Sequence, residues 1–365
     1  MGPIRCMSFA CATSVKRLQT HAAVTPYPGR NEGEMTKETN VLIIGTGGTI
    51  SCLAADRFDF LDYPVAGTRL SPRELLDTLS ITPSDITLRT SGFEPVSSTE
   101  LGPEFWCSLR AEISAAIDAN QNLSGIVVTH GTATLEESAF ALDVLLGTDV
   151  PIVFTGSQRP ANAISSDAAH NLWGALRVAS SPKARGRGVL VVMNGEIHAA
   201  AEVTKSSNFA LDAFGSPNSG PLGTIEGTLV SFRTHPELRS PTLAWRRPKD
   251  WPRVDVVASY AGADGTHIDA SVAAGAKGIV VAGLAPGYAT PDQRRALREA
   301  HMQGVIAVMS SRAPAGSTVC LKQNGLAEFI GARRLSPQKA RILLSIALMQ
   351  TTDIKEIDNL FAQFS

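Results

Sequence analysis

The sequence has no long hydrophobic run. Its longest candidates, residues 278–283 and 188–193, fall far short of the ~20 apolar residues that span a bilayer. It also has no excess of either charge, because 33 basic and 34 acidic residues leave a net charge of -1. A charge balance this even provides no basic surface for nucleic acid or for an anionic membrane. We therefore expect a small-molecule partner, with neither nucleic acid nor a membrane involved.

Cysteine is scarce and scattered. The five cysteines are odd in number and form no Cys-x-x-Cys pair, which argues against a disulfide framework and a zinc site. Charged residues make up 18% against 44% hydrophobic residues, a composition that excludes a disordered chain. We predict a water-soluble protein of a reducing compartment. We also predict a cytoplasmic location, because no secretion signal is recognisable.

Short apolar runs alternate with helical patterns from residue 40 onward. The predicted strands are 41–44, 125–128, 152–154, 188–193, 254–258, 278–282 and 304–309. Capping sequences with an early proline predict helix starts at Ser71 and Thr290, and further helices are predicted at 265–275, 291–302 and from Ser336 onward. This alternation indicates an α/β fold with a mainly parallel sheet.

The chain is long enough for two domains of ~150 residues each. A polar stretch containing Pro, Arg and Trp interrupts the strand and helix rhythm before residue 253. We predict a disordered extension at 1–39, a larger flavodoxin-like domain at 40–232, a linker at 233–252 and a smaller α/β domain at 253–365.

A glycine-rich turn follows the first predicted strand at residues 45–50 (Gly-Thr-Gly-Gly-Thr-Ile). Open α/β sheets bind ligands at the carboxyl ends of their strands, so this turn is a candidate site. A dinucleotide fingerprint would require glycine where Ile50 stands. A nucleotide-dependent oxidoreductase therefore remains a less favoured alternative.

A second polar cluster, residues 129–137 (Thr-His-Gly-Thr-Ala-Thr-Leu-Glu-Glu), also comes directly after a strand. Thr134 and Glu137 predict a capping box, which places Thr132 in the loop just before a helix N-terminus. Backbone N–H groups at such a terminus favour a carboxylate. By themselves, Thr134 and the neighbouring glutamates are interpreted as helix caps and dipole partners.

A third segment, residues 192–205, consists of two short extended runs that end at Lys205. Taken alone, Lys205 fits a solvated strand end. A threonine nucleophile, however, needs a nearby base, and a desolvated lysine with a lowered pKa is one of the few side chains that can serve.

In this order the three segments resemble the bacterial-type L-asparaginase and glutaminase-asparaginase family. The resemblance extends over roughly residues 40–363, through segments such as 156–160, 212–223, 310–312 and 336–341. It implies a large and a small α/β domain, no metal or organic cofactor, and active sites at subunit interfaces. A homo-oligomer, either a dimer or a tetramer, is therefore expected.

The resemblance also implies roles for individual residues. Thr49 matches the nucleophilic threonine, and Tyr63 matches the tyrosine of the loop that closes over the substrate. Thr132 and Lys205 match the second threonine and its lysine partner. The implied activity is hydrolysis of L-asparagine, or of a related small amide, to the acid and ammonia.

The remaining substrate-binding positions are Ser98, Thr99 and Ala133. Ser98 and Thr99 fall where the family binds the α-carboxylate, whereas Ala133 replaces the aspartate that holds the α-amino group. Losing one charged partner in a closed site costs ~2–4 kcal/mol, or about one and a half to three decades in rate or affinity. The alternative is therefore a catalytically impaired homologue that binds a small carboxylate ligand.

Overall fold

The structure, a computed structural model, describes residues 39–63, 67–236, 240–243, 251–318 and 329–365. The predicted disordered extension lies outside these residues except for Thr39. Residues 237–239 and 244–250 of the predicted linker lie outside them as well.

The regular elements of the described residues are defined here. The strands are β1 (Asn40–Gly47), β2 (Cys52–Leu53), β3 (Thr68–Arg69), β4 (Thr87–Val96), β5 (Leu123–Thr129), β6 (Ile152–Thr155), β7 (Val189–Met193), β8 (Glu196–Ala199), β9 (Thr204–Lys205), β10 (Phe214–Gly215), β11 (Gly223–Glu226), β12 (Leu229–Phe232), β13 (Val254–Ala258), β14 (Gly278–Gly283), β15 (Ile306–Ser311) and β16 (Ile330–Gly331). The helices are α1 (Pro72–Thr78), α2 (Pro103–Ala119), α3 (Leu135–Leu145), α4 (Ala168–Ala179), α5 (Thr266–Ala273), α6 (Pro291–Met302), α7 (Pro337–Leu348) and α8 (Ile354–Ala362).

The larger sheet has eight strands in the order β12-β11-β8-β7-β6-β5-β1-β4. Strands β4, β1, β5, β6 and β7 run parallel, and the remaining three are added antiparallel at the β7 side. Alternate residues of β1 face opposite sides of the sheet. Leu42 and Ile44 pack with α2 and α3, whereas Val41 and Ile43 pack with α1 and α4. Both faces are therefore covered by helices, which explains why the central strands are almost wholly apolar.

The smaller sheet is entirely parallel, in the order β13-β14-β15-β16. Helices α5 and α6 pack on one face through Ile268 and Leu297. Helix α7 packs on the other face, and it also contacts α3 beside the larger sheet. Among the described residues, every helix is too short or too polar to cross a bilayer.

The predicted fold class is confirmed, with a larger, mostly parallel sheet followed by a smaller parallel one. Each predicted strand and helix is present with shifts of a few residues at its ends, and the capping boxes at Ser71 and Thr290 form. The domain boundaries stay a prediction. Strand β4, helices α2 and α8 and the antiparallel edge were not predicted.

The predicted capping box between Thr134 and Glu137 is wrong. Thr134 does occupy the N-cap of α3, but it makes no side-chain cap hydrogen bond. Its Oγ1 instead donates to the backbone carbonyl of Ser98, at 2.7 Å. A tertiary contact to the loop after β4 thus replaces the local one.

Candidate active site

Three loops meet at the carboxyl edge of the larger sheet, after β1, β4 and β5. Gly48 lies where they touch. Its φ of 80° lies in the left-handed region, and a Cβ built there would approach the Cα of Gly131 to 2.2 Å. Its N–H donates to the carbonyl of Val96 at 3.1 Å. A side chain at this position would force the loops apart, so the glycine-rich turn is needed for their close approach.

A cavity of about 210 Å³ opens at this junction. Five of the predicted site residues line it: Thr49, Tyr63, Ser98, Thr132 and Ala133. Lys205 reaches the site through Thr132. Thr99 is exposed and does not line the cavity, and its Oγ1 is 2.8 Å from Ser97 Oγ. The structure therefore brings together residues that are up to 156 positions apart in the sequence, from Thr49 to Lys205.

The hydroxyl of Thr49 is held close to the phenol of Tyr63. Thr49 begins a short 3₁₀ helix after β1, and its Oγ1 lies 2.6 Å from the Tyr63 oxygen. Burial raises the pKa of Tyr63, although its hydrogen bond with Thr49 opposes this shift. The phenol therefore keeps its proton at neutral pH and can donate a hydrogen bond.

Thr132 and Lys205 form a second polar pair. Lys205 Nζ donates to Thr132 Oγ1 at 2.8 Å and to Gln158 Oε1 at 3.3 Å. The backbone N–H of Lys205 donates to Glu136 Oε2 at 3.1 Å. Burial lowers the pKa of Lys205, and the charge of Glu136 opposes this lowering. A larger fraction of Lys205 is therefore the neutral amine, which is the form able to accept a proton.

The position of Lys205 depends on a buried framework. Strand β9 pairs antiparallel with β10, which sets Lys205 opposite Phe214. The fully buried Lys339 of α7 donates through Nζ to the carbonyls of Ala201 and Val203, just before β9. Burial lowers the pKa of Lys339 to about 8. A residue that follows the second sheet therefore supports the strand that carries Lys205.

Several residues of the site were missed by the sequence analysis. Arg69 and Cys52 also line the cavity. They are directly paired across β2 and β3, although 17 positions separate them in the sequence. Gln158, which contacts Lys205, was noted only within a segment of family resemblance. No local pattern marks these residues, since only the pairing of short strands brings them to the site.

The loop after β1 does not form a dinucleotide site. A dinucleotide-binding turn leads into an α-helix whose N-terminus meets the pyrophosphate. Here the turn leads into a 3₁₀ helix of three residues and then into β2.

In the described ranges, no cluster of three or more His, Cys, Asp or Glu side chains is arranged to hold a metal ion.

Comparison with known protein families matches both halves of the chain. The asparaginase N-terminal domain matches residues 40–238, and the glutaminase/asparaginase C-terminal domain matches residues 253–361. The chain belongs to the asparaginase family. The resemblance predicted from the three sequence segments is therefore confirmed.

Relatives of this asparaginase-family chain match nearly end to end. A glutaminase-asparaginase of Pseudomonas fluorescens is 35% identical over 90% of this chain and 91% of its own length. A probable periplasmic L-asparaginase of Haemophilus influenzae is 33% identical over 89% and 93%. The crystal structure of a probable cytoplasmic L-asparaginase from Campylobacter jejuni superposes with a TM-score of 0.83 at 31% identity, covering 89% of this chain and 99% of that one. Membership indicates an amidohydrolase.

Proposed function

We propose that this chain hydrolyses the side-chain amide of L-asparagine, or of a related small amide, with Thr49 as the nucleophile. The supporting observation is that one cavity is lined by two threonine hydroxyls, each with its own polar partner. Thr49 is beside Tyr63, and Thr132 is beside Lys205. A threonine hydroxyl needs such partners, because it is a weak nucleophile at neutral pH.

The reaction proceeds through an ester. Thr49 Oγ1 attacks the amide carbon, the C–N bond breaks, and the nitrogen leaves as ammonia. Water then attacks the ester carbonyl, which releases the acid and restores the Thr49 hydroxyl. The neutral amine of Lys205, acting through the Thr132 hydroxyl, takes up the proton released in the attack and returns it to the leaving nitrogen. Tyr63 orients Thr49 by its hydrogen bond.

Backbone N–H groups next to Thr132 are suited to stabilise the negative charge on the amide oxygen. Thr132 and Ala133 precede Thr134, the N-cap of the 11-residue helix α3. N–H groups at a helix N-terminus lack partners within the helix and carry a partial positive charge. Donors fixed in this way act on charge that develops only in the transition state.

Ammonia release by the Thr49→Ala variant tests this proposal. We expect kcat on the best amide substrate to fall by a factor of ~10³ or more, as when a catalytic nucleophile is removed. Thr49→Ser should keep part of the activity, because it preserves the hydroxyl. Thr78→Ala, the same change at the exposed end of α1, is the matched control. An unchanged kcat in Thr49→Ala would exclude Thr49 as nucleophile.

Ala133 supports a second candidate function, a homologue of low activity that binds a small carboxylate. Ala133 is exposed at the cavity and supplies no polar side-chain group. The test is a panel of amides combined with calorimetry of small carboxylates. Binding without ammonia release from any amide would favour this second function.

Three broader predictions accompany the proposal. The domains are placed at 40–232 and 253–365, and limited proteolysis should cut between them. A homo-oligomer, either a dimer or a tetramer, should appear in light scattering. A cytoplasmic location is suggested by the name of the Campylobacter jejuni protein, whereas the Haemophilus influenzae relative is named periplasmic. Cell fractionation decides between the two locations.

A further inference from the structure

The charges that line the cavity are unbalanced. Arg69 contributes a guanidinium group to the lining, and none of the described lining residues carries a carboxylate. A cavity of this kind favours an anionic ligand over a cationic one, because a partly desolvated site strengthens both attraction and repulsion.

Arg69 is held in place but keeps hydrogen-bonding capacity. Its Nη1 donates to the carbonyl of Pro95 at 2.9 Å, and its guanidinium also lies against the thiol of Cys52. The antiparallel pairing of β2 and β3 fixes its backbone. A guanidinium has five N–H donors in a planar fork, so donors remain for a carboxylate of the ligand. The side chain is half-buried, which makes such an ion pair stronger than one at the surface.

Carboxylates near the cavity are bound to backbone groups of the chain. Glu136 accepts the N–H of Lys205, and Glu100 accepts the N–H of Ser97 in a capping box. Asp59, which faces Tyr63, accepts the N–H groups of two residues in its own loop. None of the three lines the cavity. A ligand ammonium group would enter the cavity without a carboxylate from the described lining.

We propose that Arg69 binds the free carboxylate of the substrate, and that the preferred substrate is a monoamide of a dicarboxylic acid without an α-ammonium group. This inference rests on the proposed amide hydrolysis at Thr49. Succinamate is the simplest compound of this class. It has the amide and the carboxylate of L-asparagine and lacks only the ammonium group.

The physical reason is the cost of an unpaired charge. An ammonium group that loses water without gaining a carboxylate is destabilised, whereas a methylene group at the same place is not. The carboxylate of either ligand can pair with Arg69. The difference in affinity between the two ligands therefore measures the effect of the missing protein carboxylate. The affinity lost when Arg69 is replaced measures the contact with the ligand carboxylate.

The experiment compares matched ligand pairs on the full-length protein. Values of kcat/KM for ammonia release are measured with succinamate and with L-asparagine, and calorimetry gives the Kd of succinate and of L-aspartate. We expect succinamate and succinate to be favoured by about 10-fold or more, as for one charged hydrogen-bond partner. Arg69→Gln should weaken succinate binding by a similar factor, whereas Arg73→Gln, at an exposed arginine of α1, should not.

The variant Ala133→Asp provides the converse test. An aspartate placed at the cavity should shift the preference toward L-asparagine, because it supplies the missing anion. Equal or tighter binding of L-aspartate by the wild-type protein would overturn the inference, as would unchanged succinate binding in Arg69→Gln. If succinate binds preferentially but no amide releases ammonia, the carboxylate contact is supported and the proposed hydrolysis is overturned. If amides are hydrolysed through Thr49 and L-asparagine is preferred, the proposed hydrolysis is supported and the inferred substrate preference is overturned.

Discussion

Thr132 and Lys205 should act as one unit, and a double-mutant cycle tests this. The two variants are Lys205→Met, which removes the amine but keeps much of the side-chain volume, and Thr132→Val, which removes only the hydroxyl. In the structure these groups are joined by one hydrogen bond of 2.8 Å. If the proton passes from one to the other, either variant interrupts the same path.

The size of the effect follows from this contact. A general base contributes a factor of about 10² to 10⁴ to the rate, so each single variant should lower kcat by that amount. Loss of the second group from an already broken path has no further effect, so the double variant should resemble the worse single variant within about threefold.

The assay is steady-state ammonia release with the best amide substrate, measured on four proteins of equal circular dichroism. Lys277→Met, at an exposed lysine beside the smaller sheet, is the matched control and should keep full activity. A double variant whose loss equals the product of the two single losses would refute the shared path. Full activity in Lys205→Met would remove the lysine from the mechanism altogether.

Two further predictions concern charges behind the site. The charge of Glu136 raises the pKa of Lys205, so Glu136→Gln should lower that pKa. The acid limb of the kcat/KM profile should then move to lower pH, and a shift to higher pH would contradict the assignment of Lys205 as the base. Burial lowers the pKa of Lys339 from 10.5 to about 8, so the unfolded chain binds more protons than the folded chain between these two pH values. The free energy of unfolding therefore rises by about 3 kcal/mol from pH 8 to pH 10.5. Below pH 8 the folded protein is destabilised by the full cost of keeping a protonated lysine buried. In urea titrations at pH 7.5 and 10.5, Lys339→Met should show a smaller difference in the free energy of unfolding than the wild type. The same difference in both proteins would contradict the lowered pKa of Lys339.

Most of the architecture could be predicted from the sequence because its causes are local. Apolar runs of four to six residues mark the central parallel strands, and capping sequences mark α1 and α6. Strand β4 escaped prediction because it is an edge strand with many exposed polar residues, and therefore lacks the apolar run of its neighbours. The capping box at Thr134 failed for the opposite reason, since a tertiary partner at Ser98 took the hydroxyl.

The candidate site, like the fold, could be predicted from the sequence only in part. The order of residue types along the chain shows which polar residues follow which strands, and so Thr49, Thr132 and Lys205 could be named from three ordered segments and a family resemblance. The contact of Tyr63 with Thr49, the contact of Gln158 with Lys205 and the cation in the cavity lining became visible only in the folded chain. These contacts depend on strand pairing and loop packing between distant parts of the chain. Local propensity carries no information about such pairings, because their free energy arises only when the chain is folded.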